Sequence, residues 1–209
     1  MEDSLQQMIA GAGSDNLFMQ CETPQRNAFR PLPEGFSTRL CRRDELVFWK
    51  TMWAQGQYME FMDYFYEKTY APREQEFFQR CLFVVDERDQ PVATSGIWLS
   101  YQSISTVLGL FVLPGHEGRG IGRGLFSEVM ANADYPVYLH THPGSVKAIK
   151  LYLDFGFKFV TDPVVGYREN NLAQIMPFLE QVFYDRELQT VAANPALLEA
   201  ALLNESAEF

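Results

Sequence analysis

Four glycines alternate with other residues inside the stretch VLGLFVLPGHEGRGIGRGLFSEVM, which runs from Val107 to Met130. They are Gly118, Gly120, Gly122 and Gly124. Glycine offers no side chain to pack and loses more conformational entropy on folding than other residues, so the pattern indicates a need for bare backbone. The stretch passes from an apolar run to an amphipathic helical pattern, which predicts a strand, a loop and a helix N-terminus. This arrangement favours a bound anion, and a tight structural turn is the alternative.

The glycine spacing excludes two common phosphate-binding loops. The dinucleotide pattern G-x-G-x-x-G requires a third glycine where this chain has Arg123 or Leu125, depending on where the pattern starts. The P-loop pattern G-x-x-x-x-G-K-[ST] requires Lys and then Ser or Thr where this chain has Ile121 and Gly122. The loop therefore belongs to neither class.

Composition limits the partners of the chain. Its 209 residues suit one domain with extensions. A formal net charge of −10 without a clustered basic face argues against nucleic-acid binding and favours cationic small molecules. No run approaches the ~20 apolar residues of a membrane span, and the N-terminus lacks the features of a secretory signal. The three cysteines are widely spaced, which predicts reduced thiols and a cytoplasmic protein.

Hydrophobic patterns predict alternating strands and helices around the glycine loop. The residues up to Pro33 predict irregular structure with room for one short helix. A strand at FSTRL and helices at ELVFWKTMWA and YMEFMDYFYEKTY follow, with Gly56 between the helices, and an antiparallel meander then leads into the loop. Beyond the loop helix we expect a strand at VYLHT, a helix at SVKAIKLYLDF, a strand at GFKFV and a helical tail. The apolar face of that tail predicts docking on the domain or on a second subunit, as in a homodimer.

The segment VLPGHEGRGIGRGLF resembles the acetyl-coenzyme A (acetyl-CoA) loop of the GNAT superfamily, the Gcn5-related N-acetyltransferases. The family pattern is Gln or Arg, two residues, Gly, one residue, and Gly or Ala. Gly120 and Gly122 match the two small positions, whereas Glu117 stands where the family usually has Gln or Arg. A carboxylate beside a pyrophosphate is unfavourable unless it points away or meets an arginine.

A second segment, SVKAIKLYLDFGFKFV, resembles a later motif of the same family. In that motif Asn, two residues, Ala, a spacer and Leu-Tyr precede a Gly-Phe pair. The matching residues are Ala148, Leu151, Tyr152, Gly156 and Phe157. Ser145 occupies the usual Asn position, and an amphipathic helix with a glycine C-cap is the purely structural interpretation.

The resemblance implies an α/β (α+β) fold with a mixed, mostly antiparallel central sheet flanked by helices, and acetyl-CoA in a splayed cleft between two central strands. We expect an N-terminal extension at residues 1–35, the acetyltransferase domain at 36–170 and a C-terminal helical extension at 171–209. The implied contacts to the pantetheine arm come from the main chain of Leu110, Phe111 and Val112 and from Ser145. Those to the pyrophosphate come from Gly118, Arg119, Gly120, Ile121, Gly122, Arg123 and Gly124.

The resemblance also implies a catalytic acid, Tyr152, which would protonate the departing coenzyme A thiolate. The attacking amine, with a pKa of ~10.4 in water, must first lose a proton. The expected substrate-binding residues are Glu60, Asp63, Tyr64 and His140, and the candidate bases also include Glu67 and His142. Tyr58 and Tyr66 are further candidates for the acceptor pocket, although the same aromatic stretch also fits an apolar face packed on a sheet.

No metal site is predicted. His140 and His142 alternate on one strand and His116 lies in the glycine loop, but no carboxylate or cysteine completes a recognisable ligand spacing. The resemblance implies an N-acetyltransferase that uses acetyl-CoA to modify a primary amine of a small molecule. The alternatives are a non-catalytic acyl-CoA-binding sensor or regulatory module and a structural interaction protein.

Overall fold

The computed structural model describes residues 15–54 and 59–203, with side chains as far as residue 200; Gly56 and Tyr58 lie outside the described residues. The strands are β1 (Leu17–Cys21), β2 (Ser37–Leu40), β3 (Cys81–Val85), β4 (Pro91–Ser100), β5 (Ile104–Val112), β6 (Val137–Thr141), β7 (Lys158–Val160), β8 (Val164–Val165), β9 (Arg168–Glu169) and β10 (Thr190–Val191). The helices are α1 (Leu46–Ala54), α2 (Met59–Thr69), α3 (Glu74–Arg80), α4 (Ile121–Ala131), α5 (Val146–Asp154), α6 (Leu172–Val182) and α7 (Pro195–Leu203).

The chain divides into two compact units. Of the described residues, the first unit comprises 15–28, 99–106 and 134–203, and the second comprises 29–54, 59–98 and 107–133. Hydrogen bonding gives the strand order β10-β7-β1-β6-β5-β4-β3-β2. The pairs of β1 with β6 and β7, and of β3 with β2 and β4, are antiparallel, whereas β6 with β5 and β7 with β10 are parallel. The predicted mixed, mostly antiparallel sheet flanked by helices is confirmed.

Strand β1 is a buried strand of the first unit. All five of its residues are buried, and it pairs with β6 along its whole length and with β7 at Met19 and Gln20. The prediction of irregular structure up to Pro33 is therefore wrong at this segment. A short strand that is covered on both faces lacks the alternation of polar and apolar residues by which a half-buried strand is recognised.

The C-terminal segment also contributes to the first unit. Strand β10 pairs in parallel with β7, and Leu197 of α7 is fully buried in a cluster with Phe18 and Tyr138. The segment predicted as a helical extension thus contains a strand, and its last helix packs on the first unit. The domain limits at residues 36 and 170 stay a prediction.

Aromatic side chains form much of the core of the second unit. The ring of Trp49 on α1 packs edge-on against Tyr70 at 5.8 Å and Phe77 at 5.0 Å, measured between ring centroids. Tyr66 of α2 belongs to the same cluster and is 2% exposed. The interpretation of the α2 stretch as an apolar packing face is therefore confirmed for its buried side, and its opposite side is exposed.

Because β1 lies inside the sheet, truncation of Phe18 should destabilise the protein strongly. Phe18 is 1% exposed, and removing a buried Phe side chain costs about 3–5 kcal/mol. Urea denaturation of Phe18→Ala should show a loss of this size in the free energy of unfolding. The matched control is Tyr184→Ala, an aromatic side chain that is 86% exposed, whose truncation should change stability by less than about 0.5 kcal/mol. Equal, small effects of the two substitutions would contradict the burial of β1.

Candidate functional site

The glycine loop connects β5 to α4 within the second unit. The chain leaves β5 with Leu113 N donating to Val92 O at 2.8 Å and turns so that His116 N donates to Leu113 O at 3.0 Å. Gly120 is the N-cap of α4, with φ of 86°, and Gly124 N donates to Gly120 O at 2.9 Å. The amides of the first helical turn precede this bond, so they point out of the helix end where its dipole is positive.

The loop backbone is open at Gly118 and Gly120. Both have a positive φ, 72° and 86° respectively. A Cβ at Gly118 would meet no atom within 4 Å, and one at Gly120 would meet only Pro33 Cγ, at 3.7 Å. Open backbone at the positive end of an 11-residue helix is the environment that an anion requires. The residues present therefore fit the pyrophosphate of acetyl-CoA.

Gly124 is bare for a different reason. A Cβ at this position would lie 2.8 Å from Leu32 Cα, and the residue is buried. Its amide is already bonded to Gly120 O inside the helix. The structure does not support Gly124 as a pyrophosphate donor, because its missing side chain makes room for the main chain of Leu32. Sequence spacing alone could not separate a glycine that serves a ligand from one that serves packing.

Three charged side chains belong to the loop and to the first turn of α4. Arg119 is exposed, and its guanidinium carbon lies 4.9 Å from the centre of the Phe36 ring. Arg123 is half-buried on α4, where its carbonyl oxygen accepts a hydrogen bond from Ser127 Oγ at 2.7 Å. Glu117, at the unusual position, is exposed. Arg119 and Arg123 therefore both stay candidates for the positive charge that the sequence predicted here.

Strand β5 contains a further glycine, Gly109, directly before the three residues predicted to contact the pantetheine arm. Gly109 has φ of 66°, and Ser95 Oγ donates to its carbonyl oxygen at 2.6 Å. The indole ring of Trp53 occupies the place where a Cβ of Gly109 would stand. Leu110, Phe111 and Val112 follow and are half-buried. Sequence reasoning missed Trp53 and Ser95, although a lone glycine inside a strand is itself a signal of a bulge or a close contact.

Three of the predicted substrate-binding residues lie together on α2. Glu60, Asp63 and Tyr64 are all exposed, and their spacing puts them on one side of the helix. Asp63 Oδ1 accepts a hydrogen bond from Lys50 Nζ at 2.8 Å, so its charge is already paired. Tyr64 is 63% exposed, and Glu67 one turn later is also exposed. The exposed side of α2 therefore carries carboxylates and an aromatic ring, together with Lys68, whose Nζ lies 5.8 Å from the centre of the Tyr64 ring.

His140, the fourth predicted substrate-binding residue, lies in the first unit. Its Nδ1 lies 3.2 Å from Arg168 Nη1, and its Nε2 lies 2.8 Å from Asn16 Oδ1. An arginine can only donate, so Nδ1 accepts and Nε2 donates. Burial, together with the charges of Arg168 and His142, lowers the pKa of His140 to about 3. The ring is thus neutral with its lone pair occupied, and the structure does not support His140 as a general base or an acceptor ligand.

Tyr152 and Ser145 lie on and beside α5 in the first unit. Ser145 is the N-cap of α5, and its side chain makes no capping hydrogen bond. Tyr152 is 6% exposed, and its ring centre lies 5.8 Å from that of Phe157. Burial raises the pKa of the Tyr152 hydroxyl above its usual range. This hydroxyl therefore stays protonated at neutral pH and can donate a hydrogen bond.

His140 and His142 lie next to each other at the end of β6. The rings of His140 and His142 lie 4.7 Å apart, and His142 Nδ1 donates to Asp15 O at 3.0 Å. In residues 15–54 and 59–203, no three His, Cys, Asp or Glu side chains are grouped as ligands for a metal ion.

None of the helices in the described part of the chain is long and apolar enough to span a membrane.

Comparisons with known proteins bear on the whole arrangement. The model of a family described as Acetyltransferase (GNAT) family matches residues 48–157, and no curated protein matches the chain. A GCN5-related N-acetyltransferase from Sphaerobacter thermophilus has a TM-score of 0.52 and 19% identity, over 75% of this chain and 53% of its own. An acetyltransferase from the GNAT family from Colwellia psychrerythraea has a TM-score of 0.52 and 15% identity, over 69% of this chain and 52% of its own. This chain spans about half the length of these two proteins, and at such identity the likeness shows the fold.

The neutral state of His140 predicts a pH dependence of stability. An unfolded His titrates near pH ~6.5, whereas burial holds the pKa of the folded residue at about 3. Between these values the unfolded state binds a proton that the folded state does not, so the free energy of unfolding falls as pH is lowered. From pH 7 to pH 5, wild type should lose about 2 kcal/mol relative to His140→Gln. Urea denaturation of both proteins across this range measures the difference, and parallel curves would contradict the assignment.

Proposed function

This chain belongs to the GNAT acetyltransferase family, and we propose that it transfers the acetyl group of acetyl-CoA to a primary amine of a small molecule. The observation that carries the proposal is the glycine loop, where open backbone at Gly118 and Gly120 adjoins the N-terminus of α4. Acetyl-CoA supplies an acetyl thioester, whose carbonyl carbon is the electrophile for a neutral amine.

The loop binds through its main chain. The backbone is open at Gly118 and Gly120, beside the positive end of α4, and its amides donate to the pyrophosphate there. Arg119 adds a positive charge from an exposed position. Anion binding here depends on backbone dipoles more than on side-chain charge.

Tyr152 provides the proton donor in this proposal. Burial raises its pKa, which keeps the hydroxyl protonated but makes complete transfer to a thiolate, whose conjugate acid has a pKa of ~8.5, unfavourable. The hydroxyl therefore acts as a hydrogen-bond donor that stabilises negative charge on the leaving sulfur. Tyr152 is only 6% exposed. Its role as a donor therefore requires that the ligand contacts the hydroxyl group rather than the ring.

The exposed side of α2 is the proposed acceptor side. Glu60 and Glu67 are exposed carboxylates beside Tyr64, and such a surface attracts a protonated amine. Asp63 is paired with Lys50, so Glu60 and Glu67 are the better candidates to accept the proton that the amine must lose. His140 takes no part, because its lone pair is bonded to Arg168.

A second function is favoured by the burial of Tyr152. A module that binds acyl-CoA without turnover needs the glycine loop but no accessible acid, and Tyr152 is buried. Binding of coenzyme A without acetyl transfer across a broad panel of amines would support this alternative. Acetyl transfer to any amine in the panel would exclude it.

Coenzyme A should stabilise the protein, and the effect should depend on Gly120. A ligand at a hundred times its dissociation constant adds about 2.7 kcal/mol to the free energy of unfolding. The midpoint of thermal unfolding should therefore be higher with acetyl-CoA or coenzyme A, and NAD should leave the midpoint unchanged. Gly120→Asp puts a carboxylate at the proposed pyrophosphate position, and calorimetric titration should give a dissociation constant for coenzyme A at least ~100-fold higher.

Gly120→Asn is the matched control, because Asn has the same shape without the charge. Asn and Asp both enter the left-handed backbone region more readily than other residues with a Cβ, and the nearest atom to a Cβ there is 3.7 Å away. The Asn variant should bind coenzyme A markedly better than the Asp variant. Normal affinity in Gly120→Asp would overturn the placement of the pyrophosphate.

Replacement of Tyr152 by Phe should separate chemistry from binding. The change removes the hydroxyl and keeps the ring that packs on Phe157, so kcat should fall at least ~10-fold while the dissociation constant of acetyl-CoA stays within about twofold. Tyr138→Phe, at another buried tyrosine of the first unit, is the control and should leave kcat unchanged. Unchanged kcat in Tyr152→Phe, with chemistry rate-limiting, would rule out its role as the donor.

A further inference from the structure

A segment that precedes the family match runs along α4. We call the residues Arg30–Thr38 the strap. Arg30 N donates a hydrogen bond to Ser127 Oγ on α4 at 2.9 Å, and Thr38 Oγ1 lies 2.9 Å from both carboxylate oxygens of Glu128. Between these two bonds Leu32 lies so close to α4 that only a glycine fits at position 124. The strap is thus attached to the helix at both of its ends and in its middle.

The strap also reaches the glycine loop. Pro33 stands next to the N-cap, with its Cγ 3.7 Å from the position of a Cβ on Gly120. The Phe36 ring lies 4.9 Å below the guanidinium carbon of Arg119. The same ring meets the imidazole of His116 edge-on, with the centroids 6.5 Å apart and the planes at 89°. One aromatic ring therefore contacts side chains on both sides of Gly118.

The loop has a physical need for such a contact. Glycines stand at positions 115, 118 and 120, before α4 begins, and each of them widens the range of backbone conformations that must be lost when a ligand binds. A loop that is held in its binding conformation beforehand avoids that loss and binds more tightly. Between Gly115 and Gly120, His116 and Arg119 carry the side chains that Phe36 contacts.

We propose that Phe36 is a positioning residue for the glycine loop. Its contacts with the imidazole of His116 and the guanidinium of Arg119 hold the segment around Gly118 in its anion-binding conformation. The inference rests on the proposed function, because the loop is taken to bind coenzyme A. It extends the functional part of the chain to the strap, most of which lies before the predicted domain start at residue 36. Phe36 touches no reacting atom and acts only through the loop.

Packing alone is the competing explanation. Phe36 is half-buried and also contacts the apolar cluster that contains Ile121 and Leu125. Phe36→Leu keeps much of this apolar contact but removes the aromatic face under Arg119, whereas Phe36→Tyr keeps both. Phe48 offers a matched control in the same unit, because it is 37% exposed and packs edge-on against Phe83 at 6.2 Å. Phe48→Leu therefore reports the effect of losing an aromatic ring elsewhere.

The experiment compares these variants in three measurements. Hydrogen exchange of the backbone amides at residues 115–124 is followed in protein without coenzyme, the dissociation constant of coenzyme A is measured by calorimetric titration, and KM and kcat are measured with acetyl-CoA. Phe36→Leu should exchange faster in the loop and bind coenzyme A about tenfold more weakly, with KM raised and kcat unchanged. Phe36→Tyr should restore all values, and Phe48→Leu should change none of them.

A coupled substitution tests the route of the effect. In an Arg119→Gln background, Phe36→Leu should weaken coenzyme A binding by clearly less than it does in wild type, because the partner of the ring is already gone. Wild-type exchange and affinity in Phe36→Leu, or equal losses in Phe36→Leu and Phe48→Leu, would overturn the proposal. If wild type itself binds no coenzyme A, the proposed function fails, and the exchange measurement still decides whether Phe36 orders the loop.

Discussion

The start of α4 is fixed by two glycines with opposite surroundings, and the candidate site depends on both. Gly120 ends the loop in the left-handed region and faces nearly open space. Gly124, one turn later, is covered by the main chain of Leu32. The first glycine lets the chain enter the helix with its amides exposed, and the second lets a neighbouring segment hold that helix in place. A side chain at position 124 would displace either Leu32 or the helix end, whose dipole provides the positive potential for an anion.

Local patterns in the sequence were sufficient to predict the glycine loop, α4 and the strands before it. The signals lay within a few residues of each other, since a strand, a glycine turn and an amphipathic helix each have a short-range signature. Two features could not be predicted in this way. Strand β1 is buried on both faces, so it shows no alternation. The neutral state of His140 follows from its burial and from the charge of Arg168, and its hydrogen-bond partners Asn16 and Arg168 are 124 and 28 residues away in the chain.

If the loop binds coenzyme A as proposed, the acidic composition of the chain determines which interactions can supply the affinity. With a net charge of −10, long-range attraction cannot bring a coenzyme with several phosphate charges to this protein, so short-range donors must provide the affinity. Backbone amides suit this task, because they carry partial charges that need no counter-ion and that cannot be lost by titration. In the proposed function the same acidity favours the amine, since a protonated amine is attracted to a surface such as the exposed side of α2, where Glu60 and Glu67 lie.

Glycine gives a phosphate-binding loop its geometry and also weakens it, because the residue that allows a positive φ is the one that loses most entropy when the loop is fixed. A loop of this composition therefore needs support from residues outside its own motif. Such support leaves no signature in the motif, since Phe36 lies 79 positions before Gly115 in the numbering of the chain. It becomes visible only when the ring is found between His116 and Arg119. Motif spacing defines where a ligand can bind, and the surrounding packing determines how much of the binding free energy is spent on ordering the loop.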